Sequence, residues 1–311
     1  MIRYFMTVDG TISEREAAEP GCWIELTHPT SSETELIAER YKIDIDDLRA
    51  PLDEEERSRI ETEDDYTMLL VDIPAVEERN GTDWFETLPL GIFVTEEAII
   101  TVCLQNSPVL SAFADGRVKD HHTFKKTRFI LQILYKNAQL FLQYLRIIDR
   151  KSEIIERSLH KSQKNKELIE LLELEKTLVY FTTSLRGNEM VLEKMMKIGK
   201  IKKYPEDEEL LEDVIVENKQ AIEMANIYSG ILSGMMDAFA SVISNNQNLV
   251  MKTLSAITIV LSIPNIVAGL FGMNFLNLPF ENDPYAFPIV CGIILLVTLI
   301  AFVILKKKDM F

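Results

Sequence analysis

Two stretches near the end of the chain, residues 253–280 and 284–305, contain no Asp, Glu, Lys or Arg. Each exceeds the ~20 apolar residues a helix needs to cross the hydrocarbon core of a bilayer. The second, AFPIVCGIILLVTLIAFVIL, is close to pure hydrocarbon, whereas the first includes Ser255, Thr258, Ser262, Pro264 and Asn265. This ending points to a helical hairpin in a membrane rather than a wholly soluble fold. Lys252 precedes the first run, and Lys306, Lys307 and Lys308 follow the second. The intervening loop, about 275–285, has no Lys or Arg and carries Glu281 and Asp283. The positive-inside rule therefore places both flanks, and both termini, in the cytoplasm of a cell whose inner or plasma membrane holds the hairpin.

The charge of the remaining body excludes several functions. The chain has 33 Lys+Arg against 49 Asp+Glu, a net charge of -16. Such a body repels phosphate backbones, so no nucleic-acid partner is expected. No G-x-x-x-x-G-K-[ST] loop occurs, so no nucleotide is expected, and no nucleophile–base pattern supports an enzyme. The three cysteines, Cys22, Cys103 and Cys291, are far apart and expected to be unpaired. The first residues, MIRYFMTVDG, lack the charged and apolar regions of a cleavable signal. His121 and His122 are adjacent, which does not put two ligands on one helix face, and they read as a surface pair. The acidic runs Glu54–Glu56 and Glu206–Glu209 read as solvated helix starts.

The fold class expected is an α+β cytoplasmic head followed by long α-helices and two C-terminal transmembrane helices. Residues 1–120 form the α/β domain. MIRYFMTV, CWIEL, YTMLLVDIP, ETLPLGIFVT and AIITVCL read as strands, and TSSETELIAERY as a helix with Thr30 and Glu33 at capping-box spacing. Residues 121–204 read as a helical hairpin broken at the polar run KSQKNKE, 161–167. Pro205 then fits the first position of a new helix, with Glu206, Asp207, Glu208 and Glu209 at the positive end of its dipole. With no further proline until Pro264, one helix of roughly 65 residues, on the order of 100 Å long, is expected. It spans 205–274 as a stalk that continues into the first membrane span at about 252–274. A loop at 275–285, a second span at 286–305 and a basic tail at 306–311 complete the chain.

The first span closes on Gly269-Leu270-Phe271-Gly272-Met273-Asn274-Phe275. Gly-Met-Asn at the outer end of the penultimate span, above a long stalk and an acidic α/β head, resembles the signature of the CorA family of magnesium and cobalt transporters. The likeness covers the whole architecture, with residue-level similarity confined to about 237–275. It implies a funnel-shaped homopentamer in the lipid bilayer, with five first spans around one axis. It also implies that Gly272, Met273 and Asn274 form the selectivity filter.

Physical chemistry supports a multimer independently, because two apolar helices cannot enclose a watery path. Residues Asn248, Met251, Leu254, Thr258, Ser262, Asn265, Gly269 and Gly272 recur at steps of three and four, marking one face of the first span. That face suits either pore lining or close packing between membrane helices. The resemblance assigns Met251 and Leu254 to apolar gate rings. Ser262 stands where better-known members have a bulky apolar residue and Asn265 where they have Thr, while Pro264 is displaced by one residue. The resemblance also implies a regulatory intersubunit metal site of Asp237 and Glu77, with Glu replacing the usual Asp at position 77. The cargo and regulatory ion implied is Mg2+, with Co2+ and Ni2+ as further cargoes. The alternatives are a Zn2+ transporter of the ZntB branch and a membrane-anchored scaffold or sensor.

Overall fold

A computed structural model describes residues 1–8, 10–79, 82–118, 121–162, 165–197, 205–273, 285–308 and 310. The chain divides into two compact units, Met1–Met235 and Met236–Phe311.

The first unit is built on a sheet of seven strands among the described residues. These are β1 (Ile2–Val8), β2 (Thr11–Arg15), β3 (Trp23–Thr27), β4 (Arg59–Thr62), β5 (Tyr66–Arg79), β6 (Thr82–Thr95) and β7 (Ile99–Cys103). Their order is β2-β1-β3-β7-β6-β5-β4. Only β3 and β7 pair in parallel, and the chain between them supplies α1 (Ser31–Tyr41), α2 (Ile45–Arg49) and the hairpins of β4 to β6. The edge strands β2 and β4 do not stand out in the sequence. TISER and RIET are short and charged, as edges that must refuse further strands often are.

Strands β5 and β6 each run for 14 residues, longer than either run expected from sequence. The pairing of β4 with β5 ends at Leu70, and that of β7 with β6 ends at Leu90. Pro89 follows at once on β6, and Pro74 lies just beyond on β5. Proline has no N–H to offer an outer neighbour, so both sit where the strand has none. The outer halves of β5 and β6 therefore leave the sheet as a two-stranded ribbon.

Alternation along β3 divides the core. Ile24 and Leu26 pack with Ile37, Tyr41, Leu48, Met68, Phe93 and Val102. On the other face Trp23 stacks on Phe5 at 4.8 Å and meets the edge of Phe129 at 5.4 Å. Helix α1 starts where the capping box places it. The Glu33 N–H donates to the Thr30 hydroxyl oxygen and the Thr30 N–H to the Glu33 carboxylate, at 3.3 and 2.8 Å. The acidic run Glu54–Glu56 is a turn, not a helix start, since Pro51 has already closed a 3-10 turn at Ala50–Leu52.

Helices α3 (Pro108–Ala114), α4 (Lys126–Ser162) and α5 (Asn165–Lys197) follow. Phe141 of α4 meets Phe181 of α5 edge-on at 5.1 Å. His121 corrects the surface reading of the histidine pair, being only 4% exposed. Its ring lies 5.5 Å from Phe113 and 6.1 Å from Phe129, and Nδ1 lies 2.8 Å from the Val118 carbonyl. Desolvation in this aromatic box holds its pKa below the ordinary histidine value. Asp207 is likewise buried rather than solvated.

Helix α6 runs without interruption over Pro205–Phe271, with Glu206, Asp207 and Glu208 in its first turn. Helix α7 covers Ala286–Lys307 and ends on lysines that complement its negative pole. Each is long and apolar enough to cross a membrane, and only 6% of each apolar window is buried. The three cysteines are free.

Candidate functional site

In the first unit α6 buries Leu211, Val214, Asn218, Ala221, Ala225 and Leu232, at alternating steps of three, four and seven residues. Asn218 donates from Nδ2 to the Leu185 carbonyl of α5 at 3.0 Å, which fixes the rotation of the helix there. In the second unit only Phe239 and Ala256 of α6 are buried apolar residues. Residues two apart on an α-helix point to nearly opposite sides. Ala256 therefore sets Leu254 and Thr258 on the far side of the helix, and Phe239 does the same for Asp237 and Ser241.

The sequence-expected stripe lies on that far side. Asn248, Met251, Leu254, Thr258, Asn265, Gly269 and Gly272 are exposed in the chain, and Ser262 is partly exposed. Met251 and Leu254 show 61% and 56% of their surface. Three residues outside the expected stripe join the same face: Ser241 and Ser244, which the sequence reading passed over, and Ser255, which it named only as a polar residue of the span, are exposed and keep the three-and-four spacing from Asp237 onward. The signal was present in that spacing, but Ser241 and Ser244 lie before the apolar span, where a serine in a helix draws no attention by itself.

The hydroxyls on this face are already committed to their own helix. Thr258 donates from Oγ1 to the Leu254 carbonyl at 2.8 Å, and Ser262 donates from Oγ to the Thr258 carbonyl at 2.7 Å. A hydroxyl has one hydrogen, so what each side chain still offers is acceptor lone pairs. Acceptors suit the outward-pointing hydrogens of a hydrated cation. Pro264 lies within the helix and has no N–H, so the Val260 carbonyl loses its usual partner.

The helix ends at Phe271. The Gly272 N–H still donates to the Ala268 carbonyl at 2.9 Å, and a Cβ on Gly272 would stand 3.2 Å from that same oxygen. Met273 is half exposed. Asn274 and the loop expected at 275–285, up to residue 284, lie outside the described residues.

Glu77 lies on the ribbon, on β5, opposite Trp84 of β6, and its side chain is exposed. Asp237 is an exposed residue of α6 in the second unit. Each is a hard oxygen donor of the kind Mg2+ takes. Among the described residues, no three or more His, Cys, Asp or Glu side chains gather within one chain as a metal cage.

The family described as CorA-like Mg2+ transporter protein matches residues 19–307. The chain belongs to this family. The cobalt/magnesium transport protein CorA of Methanocaldococcus jannaschii is 28% identical over 295 residues, covering 92% of this chain and 90% of that one. The magnesium transport protein CorA of Campylobacter jejuni is 22% identical over 320 residues, covering 97% and 94%. The complete structure of the CorA magnesium transporter from M. jannaschii superposes with a TM-score of 0.85 at 24% identity, covering 98% of this chain and 96% of that one. The ZntB cytoplasmic domain from Vibrio parahaemolyticus has a TM-score of 0.60 at 13% identity, covering 79% and 97%, which is a likeness of fold alone. Family likeness thus reaches far beyond the 237–275 stretch that carries the recognisable motif.

Proposed function

We propose that this protein is a homopentameric channel that carries hydrated Mg2+ passively across the membrane into the cytoplasm. Family membership over residues 19–307 supports the class of activity. The observation that carries the mechanism is the acceptor-lined, unburied face of α6 opposite Ala256.

Mg2+ sheds its water reluctantly, so a fast path keeps the hydration shell and holds it by hydrogen bonds. A ring of Asn274 side-chain carbonyls accepts from those waters at the outer mouth without adding charge that would trap the ion. Thr258, Ser262 and Asn265 extend the same acceptor chemistry inward. Ser262 and Asn265 make the middle of this path more polar than the family pattern. Met251 and Leu254 form apolar rings that close the path by dewetting, because an ion there has no ligand to replace water.

Cytoplasmic Mg2+ sets the gate through Glu77 of one chain and Asp237 of the next. With the ion bound, the two carboxylates are bridged. Without it, unit charges a few ångströms apart repel by roughly 4 kcal/mol at an effective dielectric of ~20. Repeated over several interfaces, this exceeds the ~5.5 kcal/mol that carries a two-state equilibrium from 1:99 to 99:1.

The test is uptake into vesicles holding the purified protein. Asn274→Ala and Asn274→Asp are expected to abolish selective Mg2+ uptake while the pentamer survives in native mass spectrometry. Unchanged uptake and ion preference in both would remove the filter assignment. Competition by Co2+, Ni2+ and Zn2+ in the same assay separates a magnesium from a zinc transporter. A membrane-anchored scaffold gives no uptake at all.

A further inference from the structure

Beyond Leu70 on β5 and Leu90 on β6, no strand among the described residues flanks the ribbon on either side. Its backbone is paired instead by side chains from α4 and α5. Asn188 of α5 takes the place of a missing strand at Asp72. The Asp72 N–H donates to Asn188 Oδ1 at 2.8 Å, and Asn188 Nδ2 donates to the Asp72 carbonyl at 2.7 Å. Asn137 of α4 donates from Nδ2 to that same carbonyl at 2.8 Å.

Further out, Ser184 Oγ donates to Thr87 Oγ1 at 3.0 Å. Thr177 Oγ1 lies 3.2 Å from the Phe85 carbonyl and 3.1 Å from that of Glu173 in its own helix, sharing one hydrogen between them. Lys151 of α4 donates from Nζ to the Asp83 carbonyl at 3.2 Å and sits 4.8 Å from the centre of the Phe85 ring. Asn137, Thr177, Ser184 and Asn188 are all buried. Burial makes each an expensive bond to lose, because the freed carbonyl or amide finds no water.

The spacing of these contacts leads to Glu77. Its cross-strand partner Trp84 lies between Asp83 and Phe85, the two residues that Lys151 and Thr177 hold. Strand pairing fixes β5 to β6, apolar contacts such as Phe85 against Tyr144 of α4 at 5.3 Å hold the pair to the helices, and the polar seam adds directional bonds that set its register against them. We propose that Thr177, Ser184 and Asn188, with Asn137 and Lys151, are positioning residues for Glu77. They lock the ribbon to α4 and α5 and so set the concentration of Mg2+ at which the channel closes. The inference rests on the reading of Glu77 as a regulatory carboxylate. A shift of α4 or α5 against the sheet then moves Glu77, and an ion held by Glu77 stiffens the seam in return, as linkage requires.

The experiment uses the full-length protein in vesicles, reading the internal Mg2+ concentration that halves uptake. Thr177→Val keeps the shape and removes the hydroxyl. It is expected to raise that concentration about threefold to tenfold, the factor that one net hydrogen bond of ~1 kcal/mol is worth. Uptake at low internal Mg2+ is expected to stay at the wild-type rate, and Thr177→Ser to restore the set-point. Ser184→Ala serves as a second variant if Thr177→Val does not fold. Combined with Glu77→Ala, neither change is expected to shift the set-point further.

A folded Thr177→Val or Ser184→Ala protein with lowered thermal stability and the wild-type set-point would overturn the proposal, since a purely structural seam behaves that way. Full additivity with Glu77→Ala overturns it as well. If Glu77→Ala itself leaves the set-point unchanged, the carboxylate reading falls and the positioning role falls with it. If Glu77→Ala shifts the set-point and the seam variants do not, only the positioning role falls.

Discussion

The two units of this chain treat apolar side chains in opposite ways. In Met1–Met235, Trp23, Phe93, Phe113, Phe129, Phe141 and Phe181 are fully buried. In Met236–Phe311, Phe287 is 80% exposed and Leu295 is 71% exposed, with Leu261, Ile266 and Leu299 also bare. The first unit buries its large aromatic side chains within itself, although single apolar residues such as Leu36 and Ile154 stay exposed. The second leaves its apolar surface uncovered within the chain, as a membrane span does, and the small and polar face of α6 is the part that lipid suits least. Hydrophobicity alone does not tell the two cases apart. Periodicity does, because a core helix alternates apolar with polar faces, whereas α7 is apolar all round.

The comparison breaks most sharply at large side chains. Phe129→Ala is expected to lower the stability of the first unit by about 3–5 kcal/mol. Leu295→Ala in α7 is expected to cost less than about 1 kcal/mol, since nothing in its own chain packs around it. Thermal unfolding of the detergent-solubilised protein reads both, and equal losses would show that the units are not packed differently.

A charge separates two equally bare positions. Leu295→Arg is expected to raise the cost of membrane insertion by ~2.5–3.5 kcal/mol, read as the fraction of chains that insert. Leu36 of α1 is 57% exposed, yet Leu36→Arg is expected to change stability by no more than ~0.5 kcal/mol, because its surroundings are water. Similar penalties at both sites would refute the assignment of α7 to lipid.

Acid sharpens the comparison from the side of the first unit. Burial lowers the His121 pKa below the ordinary value of 6.5, so the unfolded chain takes up the proton first as pH falls. The stabilising contribution is complete above pH 6.5 and is lost as pH drops below it, with a slope no steeper than ~1.4 kcal/mol per pH unit for one proton. His121→Gln is expected to flatten that part of the stability–pH curve. A curve unchanged by the substitution would place the acid sensitivity elsewhere.

What the sequence made legible was local. The Thr30–Glu33 cap, the start of α6 at Pro205 and the two spans each depend on residues within a few positions of one another. Contacts at long range were hidden. Thr177, Ser184 and Asn188 look like ordinary polar residues of a helix, and their partners lie 92, 97 and 116 residues away. His121 owes its burial to Phe113 and Phe129, which only the packing of α3 against α4 brings around it. Edge strands β2 and β4 exist because β1 and β5 offer them pairing, not because TISER or RIET favours extension. The candidate pore face sits between these cases. Its helical spacing was readable, but its freedom from cover was not until Ala256 and Phe239 marked the opposite side.

The spacing of that face has a mechanical consequence. Asp237, Ser241, Ser244, Asn248, Met251, Ser255, Thr258, Ser262, Asn265, Gly269 and Gly272 follow steps of four and three without a break. Such a line repeats every 3.5 residues, while the helix turns every 3.6, so on a straight rod it drifts by ~20° per heptad. Helices that keep the line turned toward a common axis must wind around one another left-handedly. In the proposed channel, splaying such rods at Met251 would therefore also unwind them, so that opening would be a twist as much as a tilt.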